Sequence, residues 1–406
     1  MKKQLKELNR HKFNPYLEDL YQSDKPMIIY KVSGGYNIYT DFSKKIILTN
    51  KNINNFLNNF NKSKKKSETD MFIGFFGYEI LCNLLGLKIK KQKKLNFYKG
   101  IFYKPETVIK IRKKISIFSK IKKQKFNSSF KPTKILSPFK LNIDFKKYEK
   151  IFNVFSKKIR QGETYQIKIC TKYKNKSDID PINFFWKLMK VNASPEAFMI
   201  RDKNYSIVSC SPETLIDKKG LNILTKPIAG TLRKNKNLNK TKALSFFRRN
   251  IKETKEHNMI VDMERSDLSK ICNPGSVKII KEKTVEEYKD LYHYVTLIKG
   301  ILKKSVKNID IIKAMMPGGS VIGCPKISTL NLLNNQEKEN RNIYTGSFGY
   351  MKFNGDMRFN IIIRSILNYK NTSEISVASG VVVDSNAKHE FNENYIKAKA
   401  LIDLFK

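Results

Sequence analysis

The stretch IYTGSFGYMKFNGDMRFNIIIRSILNYKNTSEISVASGVVVD, residues 343–384, contains three strand-like runs in close succession. The runs cover residues 343–353, 358–369 and 374–384, and four residues (NGDM, then KNTS) separate each run from the next. Connections this short join strands into hairpins, whereas parallel neighbours need a long crossover. The stretch therefore predicts antiparallel pairing rather than a doubly wound parallel sheet.

The rest of the chain alternates strands with helices. Strands are predicted at residues 27–32, 44–50, 107–118, 164–173, 205–210 and 221–226. Helices are predicted at residues 52–60, 145–162, 181–192, 242–263, 285–301 and 390–405. Neither GxGxxG nor the Walker pattern of nucleotide-binding loops occurs. Hairpin-linked strands with intervening helices predict an α+β fold.

The composition is strongly basic, with 80 Lys+Arg against 36 Asp+Glu and a net charge of +44. Such a charge suits nucleic-acid binding, but it also arises when lysine spreads over every solvated face. The basic residues form no single stripe and accompany no nucleic-acid motif, so we expect no nucleic-acid partner. Five scattered cysteines without a CxxC pair, and no apolar run of about 18 residues, predict a cytoplasmic protein without a membrane span.

A lysine-rich connector with two prolines suggests a division of the chain. We place an N-terminal subdomain at residues 1–120, the connector at residues 121–139, and the main domain at residues 140–406. The turn KPIAGTLRK, residues 226–234, lies in the main domain and is built for close approach of the backbone to a ligand. At its centre Ala229 carries a bare methyl where a reactive side chain could stand.

Acidic pairs are conspicuous in so basic a chain. Glu253 and Glu256 lie three residues apart on one predicted helix, and Glu390 and Glu393 repeat the spacing on another, with Lys397 one turn further on. Two such pairs can hold Mg²⁺ through carboxylate oxygens. Ordinary Glu–Lys pairing on solvated faces explains the same spacing, and the pattern alone does not separate the two.

Other segments offer groups for an anionic ligand. PGGSVIGCPK, residues 317–326, is a glycine-rich loop containing Ser320 and ending at Lys326, and its backbone N–H groups can receive an anion. Tyr344 and Arg364 add a hydroxyl and a guanidinium. His293 stands alone on the apolar helix predicted at residues 285–301, where it is either a satisfied core residue or a catalyst.

Taken in order, nine motifs resemble those of the chorismate-utilising enzymes. They are GETYQIKIC, SPETL, KPIAGT, KEHNMIVDMERSDLSKICNPGSV, YHYVTLIKG, PGGSVIGCPK, YTGSFGY, NIIIRS and EFNENYIKAKAL. The resemblance covers about residues 140–406 and reaches the N-terminal part only loosely, through FIGFFGYE. It implies a sandwich of two large antiparallel sheets with outer helices and an active site between them.

The resemblance also implies roles for single residues. Glu256 and Glu393 are expected to bind Mg²⁺, which holds the ring carboxylate of chorismate, with support from Glu253 and Glu390. The remaining expected site residues are Arg364, Tyr344 and Lys397 for carboxylates, His293 near the reacting ring, Glu213 as the acid that protonates the departing hydroxyl, and Thr231 and Gly380 lining the pocket. Protonation matters because bare hydroxide is a poor leaving group.

The resemblance bears on the nucleophile as well. Water-using relatives have a lysine base where this chain has Gln166, and a glutamine cannot deprotonate water. Gln166 therefore implies ammonia, delivered by a separate glutamine amidotransferase subunit in a heterodimer or heterotetramer. In one class of aminodeoxychorismate synthases, position 229 is a lysine that adds covalently to the ring, and Ala229 excludes that route.

The product stays open between two branches. The loop PGGSVIGCPK and the segment RFNIIIRS resemble aminodeoxychorismate synthases, which favours 4-amino-4-deoxychorismate, while direct attack by ammonia also fits anthranilate synthase component I. An isochorismate or salicylate synthase and a non-catalytic, basic RNA-binding protein are the remaining alternatives. Departures from the usual motifs are Ile322, Thr296 and Ser266.

Overall fold

The computed structural model describes residues 15–58, 67–87, 89, 97–121, 132–235, 237–288 and 291–406. Its helices are α1 Pro15–Gln22, α2 Ile53–Asn58, α3 Tyr78–Leu84, α4 Phe145–Arg160, α5 Pro181–Val191, α6 Lys240–Arg249, α7 Ile251–Ile271, α8 Asn308–Met315, α9 Lys326–Gln336 and α10 Ala387–Ile402. Its first strands are β1 Met27–Val32, β2 Gly35–Ile47, β3 Met71–Phe76, β4 Gly100–Ile111, β5 Ile115–Ser119, β6 Lys134–Ile135, β7 Lys140–Leu141, β8 Gln166–Asp178, β9 Phe198–Arg201 and β10 Tyr205–Ser209. The later strands are β11 Thr214–Lys219, β12 Asn222–Lys226, β13 Ile228–Arg233, β14 Lys278–Glu287, β15 Leu291–Ile301, β16 Gly323–Cys324, β17 Ser347–Lys352, β18 Met357–Asn360, β19 Ser365–Tyr369 and β20 Thr372–Val381.

The described strands pair antiparallel in one continuous order. From one end it runs β15, β12, β11, β18, β17, β3, β4, β2, β1, β9, β10, β19, β20 and β8. The order folds over itself, because Phe198 of β9 stacks on Phe348 of β17 with ring centroids 3.8 Å apart although these strands do not pair. The result is the predicted α+β sandwich of antiparallel sheets, with a core of strand side chains inside it.

Helices cover the outer faces of the sheets. Tyr148, Phe152, Phe155 and Ile159 of α4 are all buried, which confirms the helical spacing read from the sequence. α4 begins at the N-cap Asp144, whose carboxylate accepts a hydrogen bond from a backbone N–H of the first turn. Helix α5 packs on β9 and β10, and α10 packs on β20 and against α4, where the rings of Tyr148 and Phe391 lie 5.2 Å apart. Both α5 and α10 contribute to a second apolar cluster.

The prediction of a helix at residues 285–301 is wrong. Residues 278–287 and 291–301 form β14 and β15, which pair with each other. Tyr292 to Thr296 are buried in succession, because β15 has apolar neighbours on both faces. A strand buried on both faces loses the alternation of apolar and polar residues, and its apolar content then mimics a helix.

The helix predicted at residues 242–263 is two helices. α6 ends and α7 begins at Asn250, whose side chain accepts a hydrogen bond from the backbone N–H of Glu253. Asparagine is a strong N-cap because its short side chain satisfies a backbone donor of the first turn. The break gives α7 its own direction, and α7 carries Glu253 and Glu256.

Strands from the N-terminal part lie inside the shared sheet. β1 pairs with β9, and β3 pairs with β17. Most of the connector predicted at residues 121–139 lies outside the described residues, and the division into two parts stays a prediction. Within the described chain no helix combines the length and the hydropathy that a membrane span requires.

Candidate active site

A carboxylate on α7 meets two polar side chains on β8. The amide Nε2 of Gln166 donates to Oε1 of Glu256 at 2.8 Å, and Nζ of Lys168 donates to the same oxygen at 2.9 Å. Burial by itself raises the pKa of Glu256, but the charge of Lys168 and both hydrogen bonds outweigh it and lower the pKa to about 2. Glu256 is therefore an anion at every physiological pH.

Helix α10 contributes the second pair of carboxylates. Ser385 donates to the buried carboxylate of Glu390 at 3.1 Å, and Lys397 forms an ion pair with Glu393 at 2.7 Å. Candidate ligand atoms of His389, Glu390 and Glu393 lie within 4.8 Å of one another. Glu256 of α7 and the pair Glu390 and Glu393 of α10 thus all act on the charge of Lys168.

The donors of this region suit a hard divalent cation. Burial lowers the pKa of Lys168, but the charges of Glu256, Glu393 and Glu390 together raise it above its ordinary value, so this region favours a positive charge, which the ammonium supplies at 2.9 Å from Glu256. Carboxylate oxygens are the ligands that Mg²⁺ prefers. The residues therefore fit the predicted metal, with Glu256, Glu390 and Glu393 as its holders. The carboxylate of Glu253 lies apart from Lys168, against Gly230 of β13.

Gly380 lies next to Lys168 and Gln166. It pairs with Lys168 across β20 and β8. A Cβ at position 380 would lie 2.6 Å from Nζ of Lys168 and 2.7 Å from Nε2 of Gln166. A side chain there would displace both groups, so the absence of one at Gly380 leaves them in place.

A buried acid contacts the glycine-rich loop of residues 317–326. Ser320 donates to Oε1 of Glu213 at 2.8 Å, and both side chains are buried. Burial raises the pKa of Glu213 to about 7, against the opposing hydrogen bond of Ser320 and the charges of Lys168 and Arg364. A carboxyl with this pKa is part protonated near neutrality, as a general acid must be.

His293 and Arg364 stand next to each other near this acid. Burial, followed by the charge of Arg364, lowers the pKa of His293 to about 3, so its imidazole is neutral. The ring hydrogen-bonds to the backbone of Gly230. Arg364 is buried and adopts a left-handed backbone with φ of 52°, which is costly for a non-glycine residue. Its conformation is imposed by the fold around it.

Ala229 and Thr231 lie on β13, and the backbone of Thr231 pairs with His293. The predictions for Ala229 and Thr231 concern their side chains, which fall outside the described part of the structure. Both roles remain predictions.

Two of the groups predicted to bind carboxylates converge on β20. Lys397 donates to the carbonyl of Ala378 at 3.0 Å, and the phenol of Tyr344 hydrogen-bonds to the backbone of the same residue. Burial raises the pKa of Tyr344, so the phenol keeps its proton. Ala378 is two residues before Gly380 and lies on the same face of β20.

Lys326 is engaged elsewhere. Its ammonium forms a buried ion pair with Asp267, further along α7, at 2.5 Å and donates to the carbonyl of Ala314 at 2.8 Å. Through these contacts Lys326 connects the end of the glycine loop to α7 and α8. Its predicted contact with substrate stays a prediction, whereas Ser320 of the same loop reaches the acid Glu213.

Lys168 was not among the predicted site residues. It lies two residues after Gln166 on a predicted strand, and residues i and i+2 share one face, so its position next to Gln166 could have been predicted. In a chain with 80 Lys+Arg, however, its residue type alone does not distinguish it. Gly230 was also missed, although Glu253 and the ring of Phe247 would collide with any Cβ there.

Comparison with known proteins adds a family and several relatives. The profile of the family described as chorismate binding enzyme matches residues 18–403. An anthranilate synthase component I-like protein of Synechocystis is 32% identical over 349 residues, 82% of this chain and 72% of that protein. Aminodeoxychorismate synthase component 1 of Bacillus subtilis is 35% identical over 244 residues, 60% of this chain and 52% of its own. The match thus spans about half the length of the Bacillus relative.

A solved structure agrees with both the fold and the sequence comparison. Anthranilate synthase component I of Streptococcus pneumoniae superposes with a TM-score of 0.75 and 26% identity, covering 94% of this chain and 91% of that one. The superposed length includes the N-terminal strands, where the sequence motifs match only loosely.

Proposed function

The chain belongs to the chorismate-binding enzyme family, and from this premise we propose that it aminates chorismate with ammonia to form 4-amino-4-deoxychorismate. The observation that carries the proposal is the pair formed by Gln166 and Glu256, whose amide and carboxylate lie 2.8 Å apart. An amide cannot take up a proton near neutrality, and this one stands at the position where water-using relatives have a base. Ammonia needs no such base, because it is already a nucleophile.

We assign to Glu213 the role of the acid that protonates the departing ring hydroxyl. Its carboxyl, with a pKa of about 7, gives its proton to the leaving oxygen while ammonia attacks the ring. Ser320 keeps the carboxyl oriented through its hydrogen bond of 2.8 Å. Neutral His293 supplies a polar ring beside the reaction without adding a charge.

The substrate is a dianion, and the site supplies cations for it. Arg364 and Lys397 are assigned to its carboxylates, with the phenol of Tyr344 as a further donor. Mg²⁺, when bound by Glu256, Glu390 and Glu393, would neutralise the charge of the ring carboxylate.

Ammonia is proposed to come from a glutamine amidotransferase partner, because the relatives named component I are subunits by name. We also place the protein in the cytoplasm, in keeping with its five free cysteines. Anthranilate synthase component I remains the alternative, since relatives carry both names at similar identity.

The test incubates the purified chain with chorismate, Mg²⁺ and an ammonium salt at alkaline pH, and identifies the product by mass spectrometry. We expect 4-amino-4-deoxychorismate without release of pyruvate. Anthranilate with pyruvate would support the alternative, and isochorismate would refute the role given to Gln166. Glutamine should not replace ammonium until an amidotransferase is added.

A further inference from the structure

The ammonium of Lys168 lies at the acidic cluster of the site, by which we mean Glu256, Glu390 and Glu393. Nζ of Lys168 lies 2.9 Å from Oε1 of Glu256, and the two side chains are 12% and 26% exposed. The pair is therefore largely shielded from water, where an ion pair is stronger than on the surface. Gln166 donates to the same oxygen at 2.8 Å. That oxygen of Glu256 is already occupied by two donors of the protein.

Any cation that binds to Glu256 is repelled by the ammonium of Lys168. Two positive charges on one carboxylate repel each other, so the Lys168 ammonium opposes a divalent ion on Glu256, most strongly at Oε1, where the ammonium already binds. Lys168 can move without unfolding β8, because its ammonium is held at the end of a flexible side chain.

We propose that Lys168 is an internal counter-ion that competes with Mg²⁺ for Glu256 and that, once displaced, becomes a cation for the dianionic substrate. The inference rests on the proposed function, which supplies the metal and the substrate. The backbone N–H of Lys168 donates to the carbonyl of Ile322 at 3.0 Å, two residues after Ser320, whose hydroxyl hydrogen-bonds to Glu213. Lys168 therefore lies beside the glycine loop that contacts the proposed acid, and its side chain is only 12% exposed.

A linkage between metal and substrate follows. Without substrate, displacing Lys168 from Glu256 leaves an unpaired ammonium in a shielded site and weakens metal binding. With substrate, the ammonium has a new carboxylate partner, so chorismate strengthens binding of Mg²⁺. By reciprocity, Mg²⁺ strengthens binding of chorismate by the same factor.

The test measures Mg²⁺ binding by calorimetry, at pH 8 and without substrate, for the wild type, Lys168→Gln and Lys168→Arg. Removing the competing charge should lower the dissociation constant of Lys168→Gln by about tenfold, which corresponds to about 1.4 kcal/mol. Lys168→Arg keeps the charge and should bind Mg²⁺ as the wild type does. A dissociation constant of Lys168→Gln equal to or higher than that of the wild type would overturn the proposal.

A matched control comes from the same strand. Lys174 of β8 forms an ion pair with Glu339 at 2.5 Å, away from the acidic cluster, and Lys174→Gln should leave Mg²⁺ affinity unchanged. Circular dichroism checks folding, and Lys168→Met replaces Lys168→Gln should the latter not fold. If the wild type and every variant fail to bind Mg²⁺, the metal assignment fails together with this inference. If the wild type binds Mg²⁺ and removing Lys168 changes nothing, the inference alone fails.

The linkage gives a second readout that is independent of turnover. Repeating the calorimetry with chorismate present, but without ammonium, should raise Mg²⁺ affinity more in the wild type than in Lys168→Gln. An equal effect of chorismate in both proteins would show that Lys168 does not couple the two ligands.

Discussion

Replacing Glu213 by glutamine should make the protein more stable at alkaline pH while removing most of its activity. The carboxyl of Glu213 is buried, and burial raises its pKa from 4.5 to about 7. Below pH 4.5 the carboxyl is neutral in both the folded and the unfolded chain. Between pH 4.5 and 7 the unfolded chain releases this proton while the folded chain keeps it. The folded state is therefore progressively destabilised as the pH rises through this window.

The size of the effect follows from the shift in pKa. A shift from 4.5 to about 7 corresponds to about 3 kcal/mol of lost stability, fully developed above pH 7. Glutamine has the same shape and no charge, and its amide oxygen can still accept the hydrogen bond of Ser320. The stability of the Glu213→Gln variant therefore does not fall between pH 4.5 and 7 on account of this residue. It also lacks the acid for the leaving hydroxyl, so kcat should fall by about 10²–10⁴-fold.

The assay compares chemical unfolding of the wild type and Glu213→Gln at pH 4.5 and pH 8. Groups common to both proteins cancel in the difference, so the variant should gain about 3 kcal/mol relative to the wild type on going from pH 4.5 to pH 8. Glu213→Asp keeps an acid and should keep part of the activity. A Glu213→Gln protein with equal relative stability at both pH values, or with full turnover, would refute the assignment of Glu213 as a buried acid.

Four further substitutions probe the remaining residues of the site. Gln166→Lys should place a base beside the ring and divert part of the chorismate to isochorismate-type products, detected by mass spectrometry; unchanged products would contradict the role of Gln166. Gly380→Ala should displace Lys168 and Gln166, since its Cβ would lie 2.6 Å and 2.7 Å from their nitrogens, and kcat/KM should fall by about 10²-fold with the melting temperature checked in parallel. Glu256→Gln and Glu393→Gln each remove a charged oxygen and should abolish Mg²⁺-dependent turnover, and full turnover of either variant without added metal would speak against the metal site.

Much of the fold could be predicted because local patterns were clear. The apolar spacing of α4 gave a helix at residues 145–162, and the structure has one at Phe145–Arg160. Short connections between strands gave antiparallel pairing, which is what the β17–β18 and β19–β20 hairpins show. Both signals depend on residues close in the sequence, where the chain leaves few alternatives.

The prediction failed where burial came from distant parts of the chain. β15 pairs with β12 and β13 along one edge and with β14 along the other. One face of β15 is covered by α6, where Tyr294 stacks on Phe247, and His293 on the other face lies near Arg364. Enclosure on both faces removed the alternating pattern, and the apolar run was read as a helix. The local signal that favours a strand is the enrichment of residues 291–301 in aromatic and β-branched residues, among them Tyr294, Val295 and Thr296.

The candidate site was predictable in its residue types but not in its contacts. The carboxylates of Glu256 and Glu393 were identified from the motifs, while their pairing with Lys168 and Lys397 depends on how β8, α7 and α10 meet. In particular, the ion pair of Lys168 joins residues 88 positions apart. Such a contact is created by the tertiary fold, and the short-range pattern carries only the alternation that puts Lys168 beside Gln166.

The most direct test of the account is the identity of the product formed from chorismate by the purified chain with Mg²⁺ and ammonium chloride. A quenched reaction is separated by liquid chromatography, its products are identified by mass spectrometry, and pyruvate is measured in the same sample. We predict 4-amino-4-deoxychorismate as the product, dependent on ammonium and without stoichiometric pyruvate. Formation of isochorismate in place of any aminated product, with or without ammonium, would contradict the central claim that this site uses ammonia.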